Sequence, residues 1–314
     1  MNRRTAMAWG VLGVGALLAS CGREPRPPST GPSETGPSAP PAREGLRIVV
    51  LSPAVGVILR DLGLATAIVG RHSFDMALDP AIPAVGDHLA VDLERLLALR
   101  PTHVLGEFGA GGVPASLAEA AAREGWIVRS QRLRTLDEIT LAMDELAALL
   151  GVMPPQDEPS PGARLGGAFA PSDEKARAAA GAAGRVLLLG ATRPAAALGP
   201  GSCHVELAQR LGAAPVPAEG GPWQELDAES VLALSPDSIV IFAPRVPAEA
   251  PGAEAWGSAA ERLGVLARLD IPALRAGRVA VIEHPLALLP SSSLAEVARE
   301  LEAVFVAWAS GDGP

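Results

Sequence analysis

Side chains that bind metals, attack carbonyls or shuttle protons are sparse in this chain of 314 residues, which has five histidines, two cysteines and no tyrosine. Neutral imidazole is a common ligand for zinc, iron or cobalt and a proton shuttle near neutrality. His72, His88, His103, His204 and His284 are therefore the first candidates. Their spacing builds no preassembled centre, because neither His-x-x-x-His nor Cys-x-x-Cys occurs. His103 falls at the start of an apolar run and reads as structural, and His204 falls in the first turn of a helical pattern. Enzyme signatures are missing as well. Gly109-Ala110-Gly111-Gly112 has neither the dinucleotide nor the phosphate-loop form, and Ser291-Ser292-Ser293 carries no nucleophile-elbow pattern. These residues carry no recognisable enzyme pattern, and none of them calls for a cofactor of the protein's own.

Cys21 has the clearest chemical context. Arg3 and Arg4 precede an uncharged stretch that ends in Leu18-Ala19-Ser20-Cys21, too short to remain as a membrane span and shaped like a secretion leader. Two small residues before a cysteine let a peptidase reach the backbone and leave a thiol for a lipid, as in a bacterial lipobox. Residues 1–20 are thus expected to be a signal peptide and Cys21 the lipid anchor, with the protein exported and facing the periplasm or cell exterior. Cys203 is then left without a disulfide partner. Residues 21–45 are rich in Pro, Ser, Gly and Glu and read as a flexible tether. The chain carries 26 basic and 35 acidic residues, a net charge of −9. Loss of Arg3 and Arg4 with the leader brings this to about −11, which excludes nucleic acid as a partner.

Beyond the tether, short β-branched runs mark strands buried on both faces: Leu46-Arg47-Ile48-Val49-Val50-Leu51, Ala67-Ile68-Val69, His103-Val104-Leu105, Trp126-Ile127-Val128, Val186-Leu187-Leu188-Leu189, Ser238-Ile239-Val240-Ile241-Phe242 and Val279-Ala280-Val281-Ile282. Helical periodicity over 93–99, 117–123, 136–150, 205–211, 228–234 and 294–308 separates most of them. Alternation of this kind predicts an α/β architecture. An internal repeat at an offset of 135 residues pairs Val91-Asp92-Leu93-Glu94-Arg95-Leu96-Leu97-Ala98-Leu99-Arg100-Pro101 with Leu226-Asp227-Ala228-Glu229-Ser230-Val231-Leu232-Ala233-Leu234-Ser235-Pro236. In each copy an Asp precedes the helix as a cap, a Glu lies in its first turn and a Pro ends it. Duplication predicts two lobes of like topology, residues 46–155 and 185–314, joined by a connector at 156–184.

The doubled Asp-Leu-Glu-x-Leu-Leu-Ala-Leu-x-Pro helix, set in strand, helix, Leu-Gly, strand order, resembles the helical-backbone (class III) periplasmic substrate-binding proteins of ABC importers over residues 46–308. That resemblance implies two Rossmann-like lobes with mainly parallel sheets, a connecting helix and a ligand cleft between the lobes. It implies a permease dimer with its ATPase as partner, docked through Glu94 and Glu229, and a metal chelate as ligand: corrinoid (vitamin B12), haem or iron-siderophore. Carried over by position, the cleft residues are His72, Phe74, His88, Glu107, Phe108, Trp223, Arg245 and His284, with Trp223 and Phe74 as apolar platforms and His88 or His284 beside the metal. Lack of tyrosine weighs against a corrinoid, and Arg245, the one cleft cation so identified, weighs against a highly anionic siderophore. The connector departs from the family's long helix: Pro159, Pro161 and Pro171 with Gly166 and Gly167 predict helix only over 172–183. A chelatase-like cytoplasmic protein shares the architecture but would lack the leader. A non-transport scaffold of the same fold remains the alternative.

Overall fold

A computed structural model describes residues 45–87, 90–245 and 258–311. The first lobe has strands β1 (Ile48–Val50), β2 (Ile68–Gly70), β3 (His103–Gly106) and β4 (Ile127–Ser130), with helices α1 (Pro53–Asp61), α2 (Leu93–Leu99), α3 (Ala115–Glu124) and α4 (Leu136–Leu149). A connector of α5 (Pro161–Ala168) and α6 (Glu174–Ala182) leads into the second lobe. There, β5 (Arg185–Thr192), β6 (Ala195–Leu198), α7 (Cys203–Leu211), β7 (Ala214–Val216), β8 (Trp223–Glu225), α8 (Ala228–Leu234) and β9 (Ser238–Phe242) precede α9 (Ala259–Leu263), α10 (Pro272–Arg275), β10 (Val279–Ile282) and α11 (Leu294–Ser310).

The first sheet is parallel throughout, in the order β2-β1-β3-β4. The second repeats that order, with β7 and β9 flanking β5 and β10 beyond β9, all parallel. Its addition is a ribbon: β6 turns back antiparallel onto the last residues of β5, and β8 pairs antiparallel with β6. The repeat detected in the sequence extends to backbone detail. Asp92 caps α2 through the Arg95 amide and Asp227 caps α8 through the Ser230 amide. Both helices end in a left-handed residue, Arg100 at φ 45° and Ser235 at φ 42°.

Each strand sends alternate residues to opposite faces. Ile48 and Val50 of β1, with Val186 and Leu188 of β5, face one core shared by both lobes, which includes residues of α1, α4, α5, α6, α7 and α11. Val49 and Leu51 face a smaller core in the first lobe, and Leu187 and Leu189 face another in the second. Polar ties run beside the shared core. Glu206 of α7 accepts the Leu136 amide of α4 at 2.8 Å, Arg210 pairs with Asp137 at 2.5 Å, and Ser292 donates to Asp61 at 2.6 Å.

The connector is two short helices, and the expectation that only 172–183 would be helical is too narrow. Pro161 occupies the first turn of α5, where its missing N–H costs no hydrogen bond, and Ser160 caps it through the Ala163 amide. Gly162 allows close approach to α4, since a Cβ there would lie 2.2 Å from the Thr140 carbonyl oxygen. The chain breaks before α6 around Pro171, and Asp173 caps the restart. Phe169, fully buried at the break, ties the connector into the shared core.

Candidate functional site at the carboxyl edges of the two sheets

In a doubly wound sheet, ligands gather beyond the carboxyl ends of strands where the order reverses. In the second lobe that point lies between β5 and β9, and a cavity of about 260 Å³ opens there, lined by Gly190, Thr192, Arg193, Phe242, Pro244 and Arg262 among others. Trp223 starts β8 opposite Leu198, and its indole lies over Gly190, where a Cβ would come within 2.5 Å of the ring. Trp223 as a whole stays 51% exposed. Glu283, just past β10, is gripped by both Arg245 and Arg262. The Arg245 hydrogen bond, reinforced by the charges of both arginines, holds its carboxyl below the ordinary range. Behind the cavity, His204 meets the Phe242 ring edge-on at 5.1 Å and reaches the Ala287 carbonyl at 2.7 Å through Nε2. Burial pushes its pKa down.

In the first lobe, a cavity of about 390 Å³ lies past β3 and β4, walled by Glu107, Ser130, Gln131, Arg132 and Arg134. Glu107 accepts the Ser52 hydroxyl at 2.6 Å, and Arg132 pairs with Glu138 at 2.8 Å. The loop after β2 is organised by Arg71, whose guanidinium donates to the carbonyls of His72, Asp75, Pro80 and Ile82. His72 is buried and its Nδ1 accepts the Phe74 amide at 3.1 Å, while Phe74 itself is 76% exposed.

The structure thus puts Arg245 just past the second sheet's carboxyl edge and Glu107, His72 and Phe74 past β3 and β2 of the first, while Trp223 stands at the amino end of β8, opposite Leu198. Three expectations need revision. Phe108 is core, packed with Val49, Leu51 and Val104, and offers no face to a ligand. His284 already uses both ring nitrogens: Nδ1 accepts the Leu286 amide at 3.2 Å and Nε2 faces Glu296 at 2.7 Å, so a metal would have to displace that carboxylate. Arg245 is not the single cation of the site, because Arg132, Arg134, Arg193 and Arg262 line the two cavities. His88 and Cys21 lie outside the described residues. His103 stands at the amino end of β3, away from the carboxyl edge, and His204 is core.

Arg262 had no local signal, since it neither belongs to the repeat nor follows a recognisable strand, whereas Arg193 trails the run Val186-Leu187-Leu188-Leu189 and directly follows β5. Arg132 and Arg134 had one, because they trail the strand signal at Trp126-Ile127-Val128. Among the described residues no three His, Cys, Asp or Glu side chains converge to hold a metal. No described helix is long and apolar enough to cross a membrane. Glu94 and Glu229 are both exposed in the first turns of α2 and α8, and one turn on each helix also exposes a leucine, Leu97 at 36% and Leu232 at 44%.

No described sequence family matches the chain, and no curated protein does. Solved structures do. The haem-binding protein RhuT of Roseiflexus sp. RS-1 is 22% identical with a TM-score of 0.60, over 84% of this chain and 99% of its own. HutB of Vibrio cholerae, a periplasmic haem-binding protein, is 20% identical with a TM-score of 0.61, over 82% and 98%. BtuF of the same organism, a periplasmic vitamin B12-binding protein, is 16% identical with a TM-score of 0.58, over 84% and 97%. With a parallel sheet, a mixed sheet whose parallel strands repeat its order, and a core shared between them, the chain has the two-lobed fold of the class III periplasmic substrate-binding proteins.

Proposed function

We propose that the protein is the exported, lipid-anchored binding component of an ABC importer, capturing a metal chelate and delivering it to a permease dimer. The observation that carries this reading is the duplicated helix: Glu94 with Leu97, and Glu229 with Leu232, are displayed once per lobe in the same setting. A surface built twice suits a partner that is itself two-fold. Exposed ion pairs contribute only about 0–1 kcal/mol each, so the glutamates act through orientation and encounter rate. Half-exposed Trp223 and exposed Phe74 offer flat apolar contacts of the kind a macrocycle needs. Structures of like fold that bind haem, vitamin B12 or iron support a chelate as the class of ligand.

Reversal of both glutamates, Glu94→Arg with Glu229→Arg, is expected to abolish stimulation of uptake in membranes carrying the permease while leaving chelate affinity intact. Equal loss of affinity would show that these residues serve the ligand, and unchanged uptake would refute docking. Anchoring at Cys21 is tested by Cys21→Ala, which should move the protein from the membrane to the soluble fraction.

A further inference from the structure

Beyond β4 the chain crosses the carboxyl edge of the first sheet from Ser130 to Thr135, the cap of α4. Its residues alternate along the way: Arg132 and Arg134 are exposed, whereas Gln131 is only 7% exposed and Leu133 is sealed in the shared core. The backbone at Gln131 is fixed, because its N–H donates to the Gly106 carbonyl at 2.8 Å at the end of β3. Gln131 borders both the cavity of about 390 Å³ and a second one of about 200 Å³ against Glu138, Leu141 and Glu145 of α4. Neighbouring side chains on the larger cavity are engaged: the Ser130 hydroxyl accepts the Phe108 amide at 3.2 Å, Glu107 accepts the Ser52 hydroxyl and Arg132 holds Glu138. The Gln131 carboxamide makes no hydrogen bond among the described residues. It is not sealed off either. The unpartnered side-chain atoms enclosed among the described residues are Asp75 Oδ2 and Trp308 Nε1, so the Gln131 carboxamide reaches accessible space, and the space beside it is that of the two cavities.

From this carboxamide we propose that Gln131 is a specificity-determining residue of the first lobe. The edge of the chelate lodged beside it carries a group that both donates and accepts hydrogen bonds, a carboxamide above all. The inference rests on the importer reading above. A buried amide without a partner loses its hydration and gains no hydrogen bond, and a leucine or methionine of like size would fill a merely structural position better. An incoming group that engages both halves recovers that loss. Glutamine presents two N–H donors and a carbonyl acceptor, so a second carboxamide pairs with it through two antiparallel hydrogen bonds. A carboxylate or an ester answers only the N–H half and leaves the carbonyl bare. Arg132 and Arg134 would draw a carboxylate instead, but both stand in solvent, where such attraction is screened and weak. The buried group decides.

The test uses the mature chain with three haems that differ only at their propionate ends, as free acid, diamide and dimethyl ester, together with cyanocobalamin, whose rim carries amides. Each is titrated by absorbance. The diamide is expected to bind tightest of the three haems. Gln131→Met should weaken the diamide about tenfold, the scale of hydrogen bonds lost at a buried group, and leave the ester within about twofold. Its urea midpoint should match or exceed that of the unsubstituted protein, because the substitution removes a buried polar group that the fold does not satisfy. Gln131→Leu should behave alike. Tighter binding of the free acid or the ester than of the diamide, undiminished diamide affinity in Gln131→Met, or lower urea midpoints in both variants overturns the role of Gln131 and leaves the importer reading standing. If cyanocobalamin alone binds, its loss or retention in Gln131→Met decides in the same way. No binding by any of the four overturns the importer reading and this inference together.

Discussion

Single residues set the shape of the site through what they lack as much as through what they carry. Gly190 is the clearest case, since only hydrogen leaves room for the Trp223 ring to lie across β5. Gly190→Val should lift the indole and weaken chelate binding by about tenfold, close to the effect of Trp223→Ala, with a changed near-ultraviolet dichroism. Binding as tight as that of the unsubstituted protein in both variants would remove Trp223 from the site. His204 tests the core beneath. Burial lowers its folded pKa from the ordinary 6.5, so the neutral ring is the one the fold accepts. As pH falls below about 6.5, the unfolded chain takes up a proton there that the folded chain refuses, and stability declines; above that pH the group adds no slope. Urea midpoints should therefore drop between pH 6.5 and 5, and drop less in His204→Gln. The neighbouring Cys203 thiol, pushed up to about 12 mainly by burial, should stay unreactive to thiol reagents until the protein unfolds.

Among the elements, the connector shows how local chemistry and packing divide the work. A proline at the first turn and a serine cap suffice to start α5, but its position is decided by Asp144 of α4, which accepts the Gly162 amide at 2.7 Å and the Ser160 hydroxyl at 2.8 Å. Because a Cβ at 162 would strike both the Thr140 carbonyl and that carboxylate, Gly162→Ala should cost about 1–3 kcal/mol by overpacking, despite alanine's better helix propensity. Chemical denaturation would measure it, and a stabilised variant would show that α5 packs loosely on α4. Helices α2 and α8 are the opposite case. Their caps, first-turn glutamates and left-handed ends are all local, so the sequence alone placed them residue by residue.

At the scale of the molecule, one continuous apolar core runs through both lobes and the connector, with Asp61–Ser292 and Leu136–Glu206 as ties. Lobes that share a core should unfold together. A single calorimetric transition is expected, and Phe169→Ala should lower the stability of the whole by about 3–5 kcal/mol, the usual cost of emptying a large aromatic site. Two separated transitions, or loss confined to one lobe, would mean that the shared core does not couple them.

Periodicity and punctuation determined much of this protein in advance. The β-branched runs named all four strands of the first lobe and β5, β9 and β10 of the second, because buried parallel strands carry their signal in consecutive residues. The repeat determined the two-lobe duplication for the same reason. Ribbon strands β6 and β8 and the short β7 were not legible: Ala195–Leu198, Ala214–Val216 and Trp223–Glu225 are strands only through the partners that β5 and its neighbours supply. The site divides likewise. Trp223 and Arg245 could be named from the flanking motif, whereas the burial of Phe108, the engagement of His284 and the grip of Arg245 and Arg262 on Glu283 depend on residues far apart in sequence. Arg262 meets Glu283 only because α9 folds back on β10, and that proximity is a property of the tertiary structure, which no local pattern encodes.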